Sequence, residues 1–278
     1  MVNDDLKGFQ VSSQYQLNEM KGMLDLSEPW LEFKTTAREI CDHFLTLSAA
    51  SLLADMKPSM FILNLSRSAE NWRRFLTTAA KHYQQQPTLN YNTPLYAAII
   101  ANNHQVLQNI ETALPINPVK NEEYDDNFYF SWVMLLLTIN EKHSPGSTFN
   151  EKNISHLCQT QLNKFLEIDT TDYRSSLLKA LLSMDDKTEE DFWIAFADGV
   201  FNYDMQVTKK VQSIATKVSQ FIAHRFIWFE GLAWLTLARK KGFTVQSANY
   251  KYCPDEVFEP IEFQYQNDWL LIPMIEKE

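Results

Sequence analysis

The sequence predicts an all-α fold, a single domain of packed antiparallel helical hairpins with a short extended or hairpin C-terminal tail, on three observations. Only six glycines serve 278 residues, and strand-and-turn architectures use many more turn residues than that. The ten prolines fall between apolar-periodic runs rather than inside them, where a missing N–H and a fixed φ do least harm to a helix. Within the runs, apolar residues recur at three- and four-residue steps, the period of one helix face. Length allows one large domain or two small ones, because single cores stop growing at roughly 250 to 300 residues, and one is expected. Composition supplies the core, with 45% hydrophobic and 13% aromatic residues.

In chain order, residues 1–34 show no settled period and read as a peripheral N-terminal segment, with the helical core expected over 35–258. A first helix is expected at 36–56, where Ile40, Phe44, Leu47, Leu52 and Leu53 share a stripe that Lys57-Pro58 stops. A second is expected at 59–86. There Leu65, Ala69, Trp72, Leu76, Ala79 and Tyr83 mark one face, with Arg73, Arg74 and Lys81 off it. Thr93 as N-cap and Pro94 at the first helical position open a third helix, which runs over 95–113 and ends before Pro115. Its Thr-Pro-Leu-Tyr-Ala-Ala start looks like an ankyrin repeat, but no second copy follows at the period of about 33 residues that an array needs.

Further helices are expected at 124–140, 153–167, 171–184, 188–205 and 207–241, the last as one helix or two. Thr188-Glu-Glu-Asp191 is a capping-box-like start, and Phe192, Phe196, Val200 and Phe201 with Trp193 give that helix an aromatic face assigned to the core. Only Glu230 and Thr236 interrupt 226–238, so this helix is expected to be central. Arg239-Lys-Lys-Gly242 gives it a basic last turn and a glycine C-cap. After Pro260, the alternation over 261–266 and the apolar 269–273 make the tail, 259–278, a short hairpin or an extended strap.

The balance of 25 Lys plus Arg against 35 Asp plus Glu gives a net charge of -10. That field repels nucleic-acid backbones and anionic membranes and attracts a basic partner. The three cysteines, Cys41, Cys158 and Cys253, are odd in number and far apart, which predicts small buried thiols in a reducing compartment. No basic-then-apolar leader opens the chain, so a cytoplasmic location is expected. The apolar stretch 221–238 contains His224, Arg225 and Glu230, too much charge for a membrane span, and reads as core.

Signatures for dinucleotides, P-loop phosphates, nucleophile elbows and zinc proteases do not occur in the sequence. The reading is therefore a protein without catalysis, cofactor or metal, with an enzyme whose site assembles from distant residues as an alternative. The six histidines never pair at three- or four-residue spacing, and His156 with Cys158 is too small a set to close a zinc site. Glu230, an acid in an apolar helix, reads as a structural link to nearby Arg225 and neighbouring polar groups. Two acidic runs precede helices: Glu122, Glu123, Asp125 and Asp126, then Asp185, Asp186, Glu189, Glu190 and Asp191. They complement helix N-termini, form an anionic docking surface, or both.

Three segments together resemble the immunity protein 49 family, whose members protect bacteria from polymorphic toxins. One is the helix–turn–helix pattern Leu95-Tyr-Ala-Ala-Ile-Ile-Ala-Asn-Asn-His104 with Gln105-Val-Leu-Gln-Asn-Ile110, followed by Leu114-Pro115. Another is Glu190-Asp-Phe-Trp-Ile-Ala-Phe-Ala-Asp-Gly-Val-Phe-Asn-Tyr203. The most specific is Phe229-Glu-Gly-Leu-Ala-Trp-Leu-Thr-Leu-Ala-Arg-Lys-Lys-Gly-Phe243 with Tyr252-Cys-Pro254, where Cys253 replaces an expected aliphatic residue. The resemblance spans about 95–257, with 1–90 weakly matched and the tail unmatched. It implies a cytoplasmic immunity protein that occludes a cognate toxin domain. Many such toxins attack nucleic acids and carry basic surfaces that an acidic partner can meet. A helical scaffold or adaptor of stacked hairpins is the alternative with the same composition.

Overall fold

Pro29 and Pro58 delimit the first long helix of the core. In a computed structural model describing residues 2–115, 117–120, 124–139, 151–168, 173–183, 188–213, 219–244, 250–258, 265–266 and 268–274, α1 (Val2–Glu19) is followed by α2 (Trp30–Leu53) and α3 (Pro58–Lys81). Helix α2 begins six residues before the expected start, because Pro29 lacks only an N–H that a helix start does not use. The N-terminal segment is not peripheral as expected. Leu6, Ser13 and Leu17 of α1 are buried, and Ser13 Oγ lies 3.1 Å from His43 Nδ1 of α2.

Helices α2 and α3 run antiparallel. Asn64 Nδ2 donates to Ser51 Oγ at 3.3 Å, Ser68 Oγ donates to the Cys41 carbonyl at 3.0 Å, and Phe75 stacks on Phe33 at 6.1 Å. The expected stripe of Leu65, Ala69, Trp72, Leu76 and Ala79 is buried. The helix ends at Lys81, short of the expected residue 86, and Gln84 at φ 52 turns the chain away.

The expected 95–113 helix is two, α4 (Thr93–Ile100) and α5 (His104–Ala113). Asn102 takes a left-handed φ of 50, and Asn103 Oδ1 caps the new helix by accepting from the Val106 N–H at 3.2 Å. Helix α4 starts one residue earlier than expected: Asn92, not Thr93, is its N-cap and makes no side-chain cap bond, and the Thr93 hydroxyl lies 3.4 Å from His224 Nε2.

Then follow α6 (Asp125–Ile139), α7 (Glu151–Ile168), α8 (Tyr173–Leu182) and α9 (Thr188–Val211). Helix α9 continues six residues past its expected end at 205. The stretch 207–241 therefore divides among the end of α9, α10 (Ser219–Ile222), a 3-10 turn (Ala223–Arg225) and α11 (Phe229–Lys241). The break before α11 is held by the Trp228 N–H, which donates to the Tyr252 carbonyl at 2.9 Å. Among the described residues no helix is long and apolar enough to cross a membrane, and no strand occurs.

Helix α11 is central, with Phe229 through Leu235 buried. The Trp228 ring stacks on Phe196 and Tyr203 of α9, both at 5.4 Å. It lies against two glycines, Gly231 of α11 and Gly199 of α9. The proposed C-cap is present: Gly242 has φ 92, and the Phe243 N–H donates to the Ala238 carbonyl at 3.0 Å. A Cβ at Gly242 would meet nothing within 4 Å, so the cost of a side chain there is conformational. Gly242→Val is expected to lower stability by about 1 kcal/mol or more, and Gly242→Asn by much less. Equal melting temperatures for the two variants would remove the cap from the account.

The described end of the tail is a strap; residues 259–264, where a hairpin was the other expectation, lie outside the described residues. From Asp268 to Met274 it lies along the polar face of α3, running in the same direction. Arg67 pairs with Asp268 in two parallel bonds of 2.8 and 2.6 Å. Asn71 Oδ1 accepts from the Leu271 and Ile272 N–H groups at 2.9 and 3.1 Å, while its Nδ2 donates to the Trp269 carbonyl at 3.0 Å. Arg74 Nη1 donates to the Ile272 carbonyl at 3.0 Å and Thr78 Oγ1 to the Pro273 carbonyl at 2.8 Å. Residues 67 to 78 of a helix span about 16 Å, and residues 268 to 273 of an extended chain span about the same. The matched lengths explain why positions spaced 4, 3 and 4 apart on α3 meet successive strap residues. One cluster of buried side chains joins the helices to the strap, from Leu17 to Ile272.

Candidate interaction surface

Glu230 faces inward, but its partner is Arg174 of α8 and not the expected Arg225. Arg174 Nε donates to Oε1 at 2.9 Å and Nη2 to Oε2 at 2.6 Å. Tyr173 Oη adds a bond at 2.9 Å and Trp234 Nε1 one at 3.3 Å. The guanidinium also donates to Asn127 Oδ1 of α6 at 3.2 Å and packs 4.6 Å from the Phe130 ring. Burial alone would lower the Arg174 pKa; the facing Glu230 carboxylate outweighs it and holds the group well above its ordinary value. This network ties α6, α8 and α11 together and is structural. Arg225, by contrast, packs on Phe226 and Phe9.

Two other buried groups titrate in opposite senses. Burial pushes the Asp42 carboxyl up to about 7, against the Tyr91 hydroxyl that donates to Oδ1 at 2.7 Å and the nearby Arg38. Burial, helped by Lys210, pushes His224 down to about 4. Between about pH 4 and 6.5 the folded chain holds a proton on Asp42 that the unfolded chain has lost, so this group makes stability fall as pH rises. His224 does the reverse, since the unfolded chain takes up a proton there that the folded chain refuses. His43, lowered by burial, acts with His224, and Glu111, raised by burial, acts with Asp42. Removing one side should expose the other. Asp42→Asn is expected to steepen the rise of stability with pH over this window, and His224→Gln to turn the slope negative. Urea melts at pH 4.5 and 6.5 check this; unchanged slopes in both variants would contradict it.

The acidic runs are only partly described. Glu122, Glu123, Asp185 and Asp186 lie outside the described residues. Asp125 is exposed in the first turn of α6 with Asp126 half-buried beside it, as helix-dipole complementation requires. Glu189 in the first turn of α9 turns back on its own protein. Its Oε1 accepts from the Thr244 N–H at 2.7 Å and from Trp193 Nε1 at 3.4 Å. Glu190 and Asp191 are exposed.

Helix α9 divides sharply by face. Phe192 and Phe196 are buried, as expected, but Phe201 is not core: it is 65% exposed. Nine residues at about 100° each place it opposite Phe192. Ile194 and Met205 share its side and are 59% and 58% exposed. Three large apolar side chains thus line one outer face, with the exposed acids Glu190, Asp191 and Asp198 around its N-terminal half and the exposed Lys209 beyond Met205. A groove of about 470 Å³ runs alongside, between α8 and α9, lined by Ser176, Lys179, Thr188, Asp191, Ile194 and Asp198. Such a contiguous apolar stripe with a charged rim is the composition of a docking surface, whereas scattered exposed residues are ordinary.

His156 is exposed and Cys158 buried, so the two face apart; all three cysteines are buried. Comparison of the chain with known protein families, curated proteins and solved structures finds no match.

Proposed function

We propose that this chain is an immunity protein that binds a cognate antibacterial toxin domain in the cytoplasm and neutralises it by occlusion, without catalysis. The observation that carries the reading is the outer face of α9, where Ile194, Phe201 and Met205 stand exposed beside the acids Glu190, Asp191 and Asp198. An apolar centre supplies residence time and a charged rim supplies encounter rate and orientation. The net charge of -10 suits a basic partner, such as a domain that acts on nucleic acid. The resemblance of 95–257 to the immunity protein 49 family supports the same reading and includes α9.

The test is purification with the product of the neighbouring gene, followed by rate measurements on the complex. Reversal of Glu190, Asp191 and Asp198 to lysine is expected to slow association about tenfold at low salt, with dissociation changed much less. Association indifferent to both salt and reversal would contradict a basic partner at this face.

A further inference from the structure

We propose that the channel along α3 is a peptide-docking site, occupied in cis by the strap, and that an extended acidic-aromatic segment of a second protein displaces the strap from it. The site is separate from the outer face of α9 and does not depend on the reading given to that face.

The chemistry of α3 is that of a backbone reader. Arg67, Asn71, Arg74 and Thr78 follow one another along one face, and apart from the Asp268 carboxylate each strap group they bond is a main-chain N–H or carbonyl. Main-chain bonds hold any extended segment, and specificity then rests on the few side chains that are read. Here two are read. Arg67 grips the Asp268 carboxylate in a bidentate pair, geometry that rejects a neutral or basic residue. The neighbouring Trp269 ring lies edge-on to Phe44 at 6.4 Å, with Lys21 5.1 Å and Arg67 6.0 Å from its centroid. Cations around an aromatic ring favour an electron-rich occupant. Glu70 pairs with Arg73 and Arg74 on the same helix, which leaves Arg67 and Lys21 as the cations that face Asp268 and Trp269 and favour an acidic segment.

Two features show room for an occupant other than the strap. Trp269 has φ 54, a left-handed conformation that a bulky residue adopts under strain. A groove also adjoins each end of the described strap, 268–274. One of about 570 Å³ shares Arg67 with it and is lined by Gln14, Asn18, Asp55, Lys57 and Asn64. Another of about 780 Å³ shares Met274 and is lined by Arg73, Thr77, Lys81 and Asn109.

The test is fluorescence anisotropy with a labelled peptide of the sequence of residues 265–274, titrated with the full chain. Cis occupancy acts as a competitor at roughly millimolar effective concentration, so the wild-type chain is expected to bind weakly. Asp268→Lys and Trp269→Ala chains, with weakened straps, are expected to bind at least tenfold more tightly. Arg67→Glu in the Trp269→Ala background should abolish binding, and a peptide with lysine at the Asp268 position should restore it. Absence of peptide binding to a strap variant that keeps a cooperative melt would overturn the proposal. So would binding that ignores Arg67→Glu, or failure of both strap variants to fold, since the strap would then be an inseparable part of the core.

Discussion

Gly231→Ala is expected to destabilise the protein by about 3 kcal/mol, near the upper end of what one overpacked methyl costs. A Cβ at residue 231 would fall within the Trp228 ring, and the ring has nowhere to go. Its other side faces Gly199 of α9, where a Cβ would stand 2.7 Å from the same ring and 2.9 Å from Tyr173. Phe196 and Tyr203 stack on it as well. Gly8 on α1 has nothing within 4 Å of a Cβ, so Gly8→Ala should leave stability unchanged or raise it by up to about 1 kcal/mol. Because the cost is a clash with one ring, Trp228→Phe should recover part of it in the Gly231→Ala background. Denaturant melts of the single and double variants decide this: additive losses would mean that the ring can move aside.

Arg174→Ala is expected to cost about 3 to 5 kcal/mol, the range for leaving a buried charge without its partner. Glu230 is 7% exposed and would keep only the Tyr173 hydroxyl and the Trp234 N–H. Removing both charges should hurt less than removing one, so Arg174→Met with Glu230→Gln is expected to be more stable than Arg174→Ala alone. Neither change should alter partner affinity in the folded fraction. A loss under about 1 kcal/mol for Arg174→Ala would show that water or a neighbour satisfies the carboxylate.

Much of this fold was legible in the residues because its helices obey simple periodicities and its prolines mark the boundaries. The stripe of Leu65, Ala69, Trp72, Leu76 and Ala79 and the cap at Gly242 were readable on those grounds. What period alone could not show was a turn whose residues keep the apolar spacing, as at Asn102, or a break held by a distant carbonyl, as at Trp228. Partner choice was also out of reach. Arg225 is nearer to Glu230 in sequence, yet Arg174, 56 residues away, reaches it. The apolar stripe of α3 says nothing of its polar face, where Asn71 and Arg67 are buried under the strap.

For the candidate surface, Phe201 is the instructive residue. Counted with Phe192 and Phe196 it looked like core, but its angular position on α9 sets it with Ile194 and Met205, and the signal was present in the spacing. Glu189 shows the converse. An acid in a docking run by composition, it bonds the Thr244 N–H of its own chain.

The central claim is that the outer face of α9 holds the partner, and the most direct measurement is the affinity of a Phe201→Ser, Met205→Ser chain for the co-purified neighbouring gene product. Both side chains are largely exposed, so the melting temperature should stay within a degree or two of the wild type. The expected result is a loss of affinity of about a hundredfold or more, carried mainly by faster dissociation. Wild-type affinity in a folded double variant would contradict the account and place the partner elsewhere on the protein.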